Sequence, residues 1–135
     1  MRYEVTTDLL TGNHLIDSEH RQLFDAVNSL MDACAKGKGC SELEPTVKFL
    51  NSYVAKHFAD EEKLQVSSKY PGYPTHKMFH QTFCKQLSDA TAVLLSSGYN
   101  IAALSKINTI IATLVSHIRT EDKRLATHVK SNGSV

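Results

Sequence analysis

Two pairs of side chains in this sequence stand at a spacing that brings metal ligands together. His57 and Glu61 are four residues apart, and so are His76 and His80. In an α-helix, residues four apart differ by about 40° around the axis and by roughly one turn along it. Each pair therefore presents two ligand atoms from one face. Two further groups offer the same chemistry: His20 in Ser18-Glu19-His20-Arg21, and His117 followed by Asp122. Five imidazoles and two carboxylates are more than one ion readily takes. Two ions accommodate them if the carboxylates bridge. Mixed imidazole and carboxylate ligation suits iron, among other transition metals. No cysteine belongs to these groups, which argues against a structural zinc site.

His117 and Asp122 are five residues apart, about 140° around an ideal helix. That is a poor arrangement for one ion. It is less poor if Asp122 leans into a position shared by two ions, so the odd spacing favours a dinuclear centre. Each element also has a plainer explanation. A single histidine on an apolar stripe, such as His20, is usually a hydrogen-bonded core residue. Glu61 within Asp60-Glu61-Glu62, and Asp122 within Glu121-Asp122-Lys123-Arg124, would each pass alone as a solvated face. Ligand types on four successive helices, all at inward positions, outweigh those separate explanations.

The elements that must carry these residues follow from periodicity. Residues 1–16 show no sustained period and contain the turn sequence Thr11-Gly12-Asn13, which predicts an extended arm. Leu23, Phe24, Val27, Leu30 and Met31 recur at helical spacing, with Asp17 or Ser18 as the expected cap. This first helix should span about 18–36 and stop at Gly37-Lys38-Gly39. Ser41-Glu42-Leu43-Glu44 has the capping-box pattern, and Pro45 suits a first turn. The second helix should span about 42–65 with Leu43, Val47, Leu50, Val54 and His57 on one stripe. Pro71, Gly72 and Pro74 mark a loop. A third helix is expected over about 74–97, ending at Gly98. A fourth, capped by Asn100, is expected over about 101–129 with Leu104, Ile107, Ile111, Leu114 and Ile118 inward. Lys130 to Val135 reads as a polar tail. Four long helices with short connections predict a single-domain, all-α, antiparallel up-down-up-down four-helix bundle over residues 1–135.

Composition narrows the function classes. The 135 residues carry a formal charge of +1, which gives no reason to expect nucleic acid or an anionic membrane as partner. No apolar run approaches the roughly 20 residues of a membrane span. Cys34, Cys40 and Cys84 are too few, and odd in number, for a disulfide framework, so a reduced, cytoplasmic chain is expected.

The motifs Ile16-Asp17-Ser18-Glu19-His20-Arg21-Gln22-Leu23-Phe24, His57-Phe58-x-x-Glu61-Glu62, His76-x3-His80 and Leu114-Val115-Ser116-His117-Ile118-x3-Asp122 together resemble the hemerythrins, specifically bacterial single-domain ones. The resemblance covers nearly the whole chain. It implies a non-haem di-iron site. His76, His80 and His117 would hold one iron, and His20 and His57 the other. Glu61, Asp122 and an oxo or hydroxo group would bridge them. The iron with two histidines would keep an open position for dioxygen, lined by Leu23, Phe58, Phe83, Thr113, Leu114 and Ile118. The family often carries tryptophans where Val5 and Thr113 stand here. A threonine in place of the second ring should leave the pocket more open and autoxidation faster. His14 and His128 are not expected to be ligands.

The resemblance implies reversible dioxygen binding for storage, delivery or scavenging, rather than enzymic catalysis. One alternative is an oxygen- or redox-sensing domain with a signalling partner or fused module. Another is a di-iron enzyme acting on peroxide or nitric oxide.

Overall fold

The computed structural model describes residues 3–37, 40–97 and 101–131, leaving aside the side chains of residues 40–42 and 97. Among these residues the architecture is helical throughout. Helix α1 runs His14–Ala35, α2 runs Cys40–Ser67, α3 runs Tyr73–Ser97 and α4 runs Ile101–His117. One turn of π-helix, Ile118–Asp122, follows α4 and passes directly into α5, Lys123–Ser131. Successive long helices pack on one another, α1 on α2, α2 on α3 and α3 on α4, as the predicted bundle requires.

The core follows the predicted stripes, with Met31 and Leu104 only partly buried at their margins. Leu23, Leu30, Leu50, Ile107, Ile111, Leu114 and Ile118 are fully buried, as Val27, Leu43, Leu87 and Leu94 are. A second, smaller apolar group of Ile16, Leu125, Ala126 and Val129 closes one end of the bundle. By length and composition alone, the run Ile101–Ser131 would also suffice to cross a membrane, contrary to the expectation that no segment qualifies. Its apolar stripe is occupied within the bundle, and it carries the buried polar residues His117 and Asp122.

Several boundaries differ from expectation. Helix α1 starts at His14, and its cap is Asn13, whose side chain accepts from the Ile16 N–H. Neither Asp17 nor Ser18 serves. Asp17 is inside the helix, and its carboxylate accepts from the backbone N–H groups of Thr11 and Gly12 and from the Thr11 hydroxyl, which fastens the arm. The predicted stop is present: Gly37, at φ +71°, donates its N–H to the Cys34 carbonyl after the last turn. Helix α2 begins at Cys40, so Pro45 lies in its second turn rather than its first. The expected capping box at Ser41, the stops at Gly39 and Gly98 and the cap at Asn100 fall outside the described residues or side chains. Two residues of the expected tail, Lys130 and Ser131, extend α5.

The arm is less plain than an extended strand. Thr7–Leu9 forms a 3-10 turn that buries Leu9. Tyr3 and Asn28 exchange two hydrogen bonds, from the Tyr3 N–H to Oδ1 and from Nδ2 to the Tyr3 carbonyl. Arg119 of the π turn donates to Asp8 at 2.9 and 3.1 Å, tying the arm to the segment between His117 and Asp122.

Candidate metal centre

The π turn resolves the awkward spacing of His117 and Asp122. In a π turn each hydrogen bond closes one residue later than in an α turn. Five residues then do what four do in an α-helix, and His117 and Asp122 face the same way. His117 Nε2 lies 3.2 Å from Asp122 Oδ1. The helix continues beyond the turn, so Leu125, Ala126 and Val129 still point inward.

All seven predicted ligand residues converge. His20, His57, Glu61 and Asp122 place ligand atoms within 4.8 Å of one another, and so do His76, His80 and His117. The two groups meet through the carboxylates. Glu61 approaches His57 at 3.3 Å and His20 at 3.7 Å with Oε2, and His80 at 3.1 Å and His76 at 3.5 Å with Oε1. Asp122 likewise approaches His20 at 3.0 Å with Oδ2 and His76 at 3.1 Å with Oδ1. Each carboxylate therefore turns one oxygen to each histidine group, as a bridging ligand must. Every one of these residues is buried.

The donor set fits metal ions and not a hydrogen-bonded core. His20 Nε2, His57 Nε2, Glu61 Oε2 and both Asp122 oxygens are buried without a hydrogen-bond partner, although several lie close to opposite charge. His117 Nε2 and His76 Nε2 face each other at 2.7 Å. Lone pairs gathered this closely in a dry interior are costly unless a cation takes them.

Two partners behind the ligands were not read from the sequence. Glu19 Oε1 lies 2.9 Å from His57 Nδ1, and Glu62 Oε2 lies 3.0 Å from His80 Nδ1. A carboxylate accepting from Nδ1–H leaves the Nε2 lone pair free to ligate. Lys56 bridges Glu19 and Asp60 at the surface, at 3.0 and 2.8 Å. The only signal for Glu19 and Glu62 was their adjacency to His20 and Glu61.

Flat aromatic faces wall the centre. Phe58 stacks on His80 with centroids 3.8 Å apart and planes 5° apart, and Phe79 stacks on His117 at 3.8 Å and 3°. Phe83 meets Phe58 edge-on at 5.6 Å. The predicted lining residues Leu23, Phe58, Phe83, Leu114 and Ile118 are all buried in the main core. Phe79 was not among them, and it does more than Phe83 to cover a ligand.

Thr113 requires correction. It is exposed, its hydroxyl donates to the Ile110 carbonyl, and it lines a surface groove with Gln86, Asp89 and Thr109. The inward seam of α4 is centred on Ile107, Ile111, Leu114 and Ile118. His117 lies at the edge of that seam, and Thr113 falls about 40° further out. Residue 113 shares a side of the helix with His117 but not the core-facing side. The two remaining histidines take no part. His14 is exposed, and His128 Nε2 lies 2.7 Å from the Ser68 carbonyl.

Without metal, the centre is a charge cluster. Burial pushes the imidazoles toward neutrality, but the carboxylates outweigh it. Glu61, Glu19 and Asp122 lift His57 to about 10, Asp122 and Glu61 lift His76 to about 9, and His20 also rises. Burial acts to raise Glu61 as well, yet His57, His20 and His76 hold it well below the usual carboxylate range. Raised imidazoles contribute stability that is complete below their unfolded pKa, about 6.5, and is lost as pH climbs through 9 to 10. The lowered carboxylates contribute above about pH 4 and lose that contribution in acid. The metal-free protein is therefore expected to be most stable at about pH 5 to 6.5. Urea midpoints should be clearly lower at pH 9 than at pH 6, and equal midpoints would contradict this charge assignment.

The comparisons with known proteins agree with the geometry. The hemerythrin HHE cation binding domain matches residues 11–129. The chain is 32% identical over 108 residues to myohemerythrin of Sipunculus nudus, covering 80% of this chain and 78% of that one. It is 30% identical over 115 residues to bacteriohemerythrin of Pseudomonas aeruginosa (strain UCBPP-PA14), covering 85% and 73%. Bacteriohemerythrin of Stenotrophomonas maltophilia is 29% identical over 132 residues, covering 93% and 80%. The chain belongs to the hemerythrin family, and its cofactor is a di-iron centre.

Proposed function

We propose that this chain binds dioxygen reversibly, for storage, delivery or local scavenging. In this reading His76, His80 and His117 hold one iron, His20 and His57 hold the other, and Glu61 and Asp122 bridge them. The observation that carries it is the division of ligand atoms: three imidazoles gather on one side, two on the other, with one oxygen of each carboxylate toward each side. Two ferrous ions held by these residues would supply the two electrons that dioxygen binding requires.

The chain's own residues do the rest. Glu19 and Glu62 fix the tautomer and plane of His57 and His80. Phe58, Leu23, Leu114 and Ile118 present an apolar surface that excludes water and offers no proton. Phe79 covers the outer face of His117. No titratable side chain other than the seven proposed ligands and Glu19 is fully buried beside the centre among the described residues, which favours binding over turnover.

Oxygen equilibrium measurements on the ferrous protein, followed by the decay of the oxygenated form, test the reading. Reversible uptake of one dioxygen per chain with slow decay is expected. Uptake that cannot be reversed by lowering the oxygen pressure would contradict a carrier and favour a sensor or an enzyme.

A further inference from the structure

The ligand stripe of α2 does not end at Glu61. One turn further on, Gln65 is fully buried, and neither its amide oxygen nor its amide nitrogen has a hydrogen-bond partner. Leaving both ends of a carboxamide unpaired in an apolar interior is unfavourable, and a leucine of similar volume would incur no such cost. A buried group of this kind points to something polar that it serves.

Its surroundings indicate what that is. Helices α2 and α3 are antiparallel, and Glu61 faces both His80 and His76. One turn beyond Glu61, Gln65 comes level with the His76 end of α3. Tyr70 marks the same corner: its N–H donates to the Gln65 carbonyl at 2.9 Å, and its ring stands edge-on to His76 with centroids 6.4 Å apart. His76 Nδ1 is itself buried and unpartnered. His20 Nδ1 shares that state, but it is His76 that the Tyr70 ring meets at this corner, while the Nδ1 atoms of His57 and His80 are held by Glu19 and Glu62.

We infer that Gln65 is a positioning residue for His76, its amide oxygen accepting the Nδ1–H of that imidazole through one buried water. The water has the polar partners it needs, since both amide ends and Nδ1 are otherwise unsatisfied. An acceptor at Nδ1 fixes the tautomer that turns the Nε2 lone pair toward the metal. His76 is thereby held by a neutral group, whereas His57 and His80 are held by carboxylates. The inference rests on the ligand role proposed for His76. It assigns Gln65 no contact with dioxygen.

The test compares Gln65→Leu and Gln65→Glu with the wild-type protein, each loaded with iron. Metal-free Gln65→Leu gains apolar packing and loses the water-bridged contact to His76 Nδ1, two effects of opposite sign, so it is expected to melt near the wild-type temperature. Once loaded, it is expected to lose ferrous iron to ferrozine about tenfold faster. Gln65→Glu keeps an acceptor for Nδ1, so it should release iron near the wild-type rate. Its added negative charge should lower the reduction potential of the centre. A purely structural glutamine gives the reverse pattern, a lower melting temperature in metal-free Gln65→Leu with iron release unchanged, and that result would overturn the inference. If Gln65→Leu does not fold, Gln65→Glu decides, and an unmoved potential would overturn it. Wild-type protein that holds two irons but fails to bind oxygen would contradict the functional reading and leave this comparison intact.

Discussion

Asp122→Ala is expected to abolish the di-iron centre, and Glu61→Ala is expected to do the same. Each carboxylate approaches histidines of both groups, so removing either one unties the two halves at once. It also leaves two divalent cations short of a negative charge in an interior that screens them poorly. Changes one shell further out typically weaken metal sites by about 10- to 100-fold, and loss of a bridging ligand should cost at least the upper end of that range. The visible absorption of the oxidised protein reports the centre directly. His14→Ala and His128→Ala should keep it, since His14 is exposed and His128 is engaged with the Ser68 carbonyl. A His14 variant that lost the absorption while the Asp122 variant kept it would invert the ligand assignment.

The second large effect is expected at Phe58. Its ring is buried, stacked on His80 and set edge-on to Phe83. Truncation to alanine leaves a cavity in the main core, and buried Phe→Ala changes cost about 3–5 kcal/mol. Urea denaturation of the metal-free variant measures that term. The same cavity opens the apolar wall beside the imidazoles and gives water a route to the centre. The oxygenated form of a correctly loaded Phe58→Ala protein should therefore decay faster than that of the wild type. Thr113→Trp, by contrast, is expected to leave the decay unchanged, because residue 113 lies outside the core-facing seam. Wild-type decay in Phe58→Ala would show that the ring contributes packing but not exclusion of water.

The ligands were legible because helical spacing translates directly into shared direction. His57 with Glu61 and His76 with His80 needed only the period of the α-helix. His117 and Asp122 did not obey that period. No proline or glycine in Ile118-Arg119-Thr120-Glu121-Asp122 announces a π turn, and the five-residue spacing was itself the trace of it. Thr113 enters the expected pocket through the resemblance alone. It stands one turn before His117, which sits at the edge of the core-facing seam, and so it falls outside that seam. Glu19 and Glu62 were hidden by their charge, since carboxylates in charged runs usually face water and only the packed helices turn them onto Nδ1. The cap at Asn13 was hidden by its turn signal: Thr11-Gly12-Asn13 marks a turn, and it is also where α1 begins, while Asp17 secures the arm from inside the helix.

This bundle is built around two irons, not one. Metal analysis of the protein after anaerobic reconstitution with ferrous iron and removal of excess metal tests it most directly. Two irons per chain are predicted from three imidazoles on one side, two on the other and a carboxylate oxygen from each bridge toward both. One equivalent or less in fully folded protein would contradict the account.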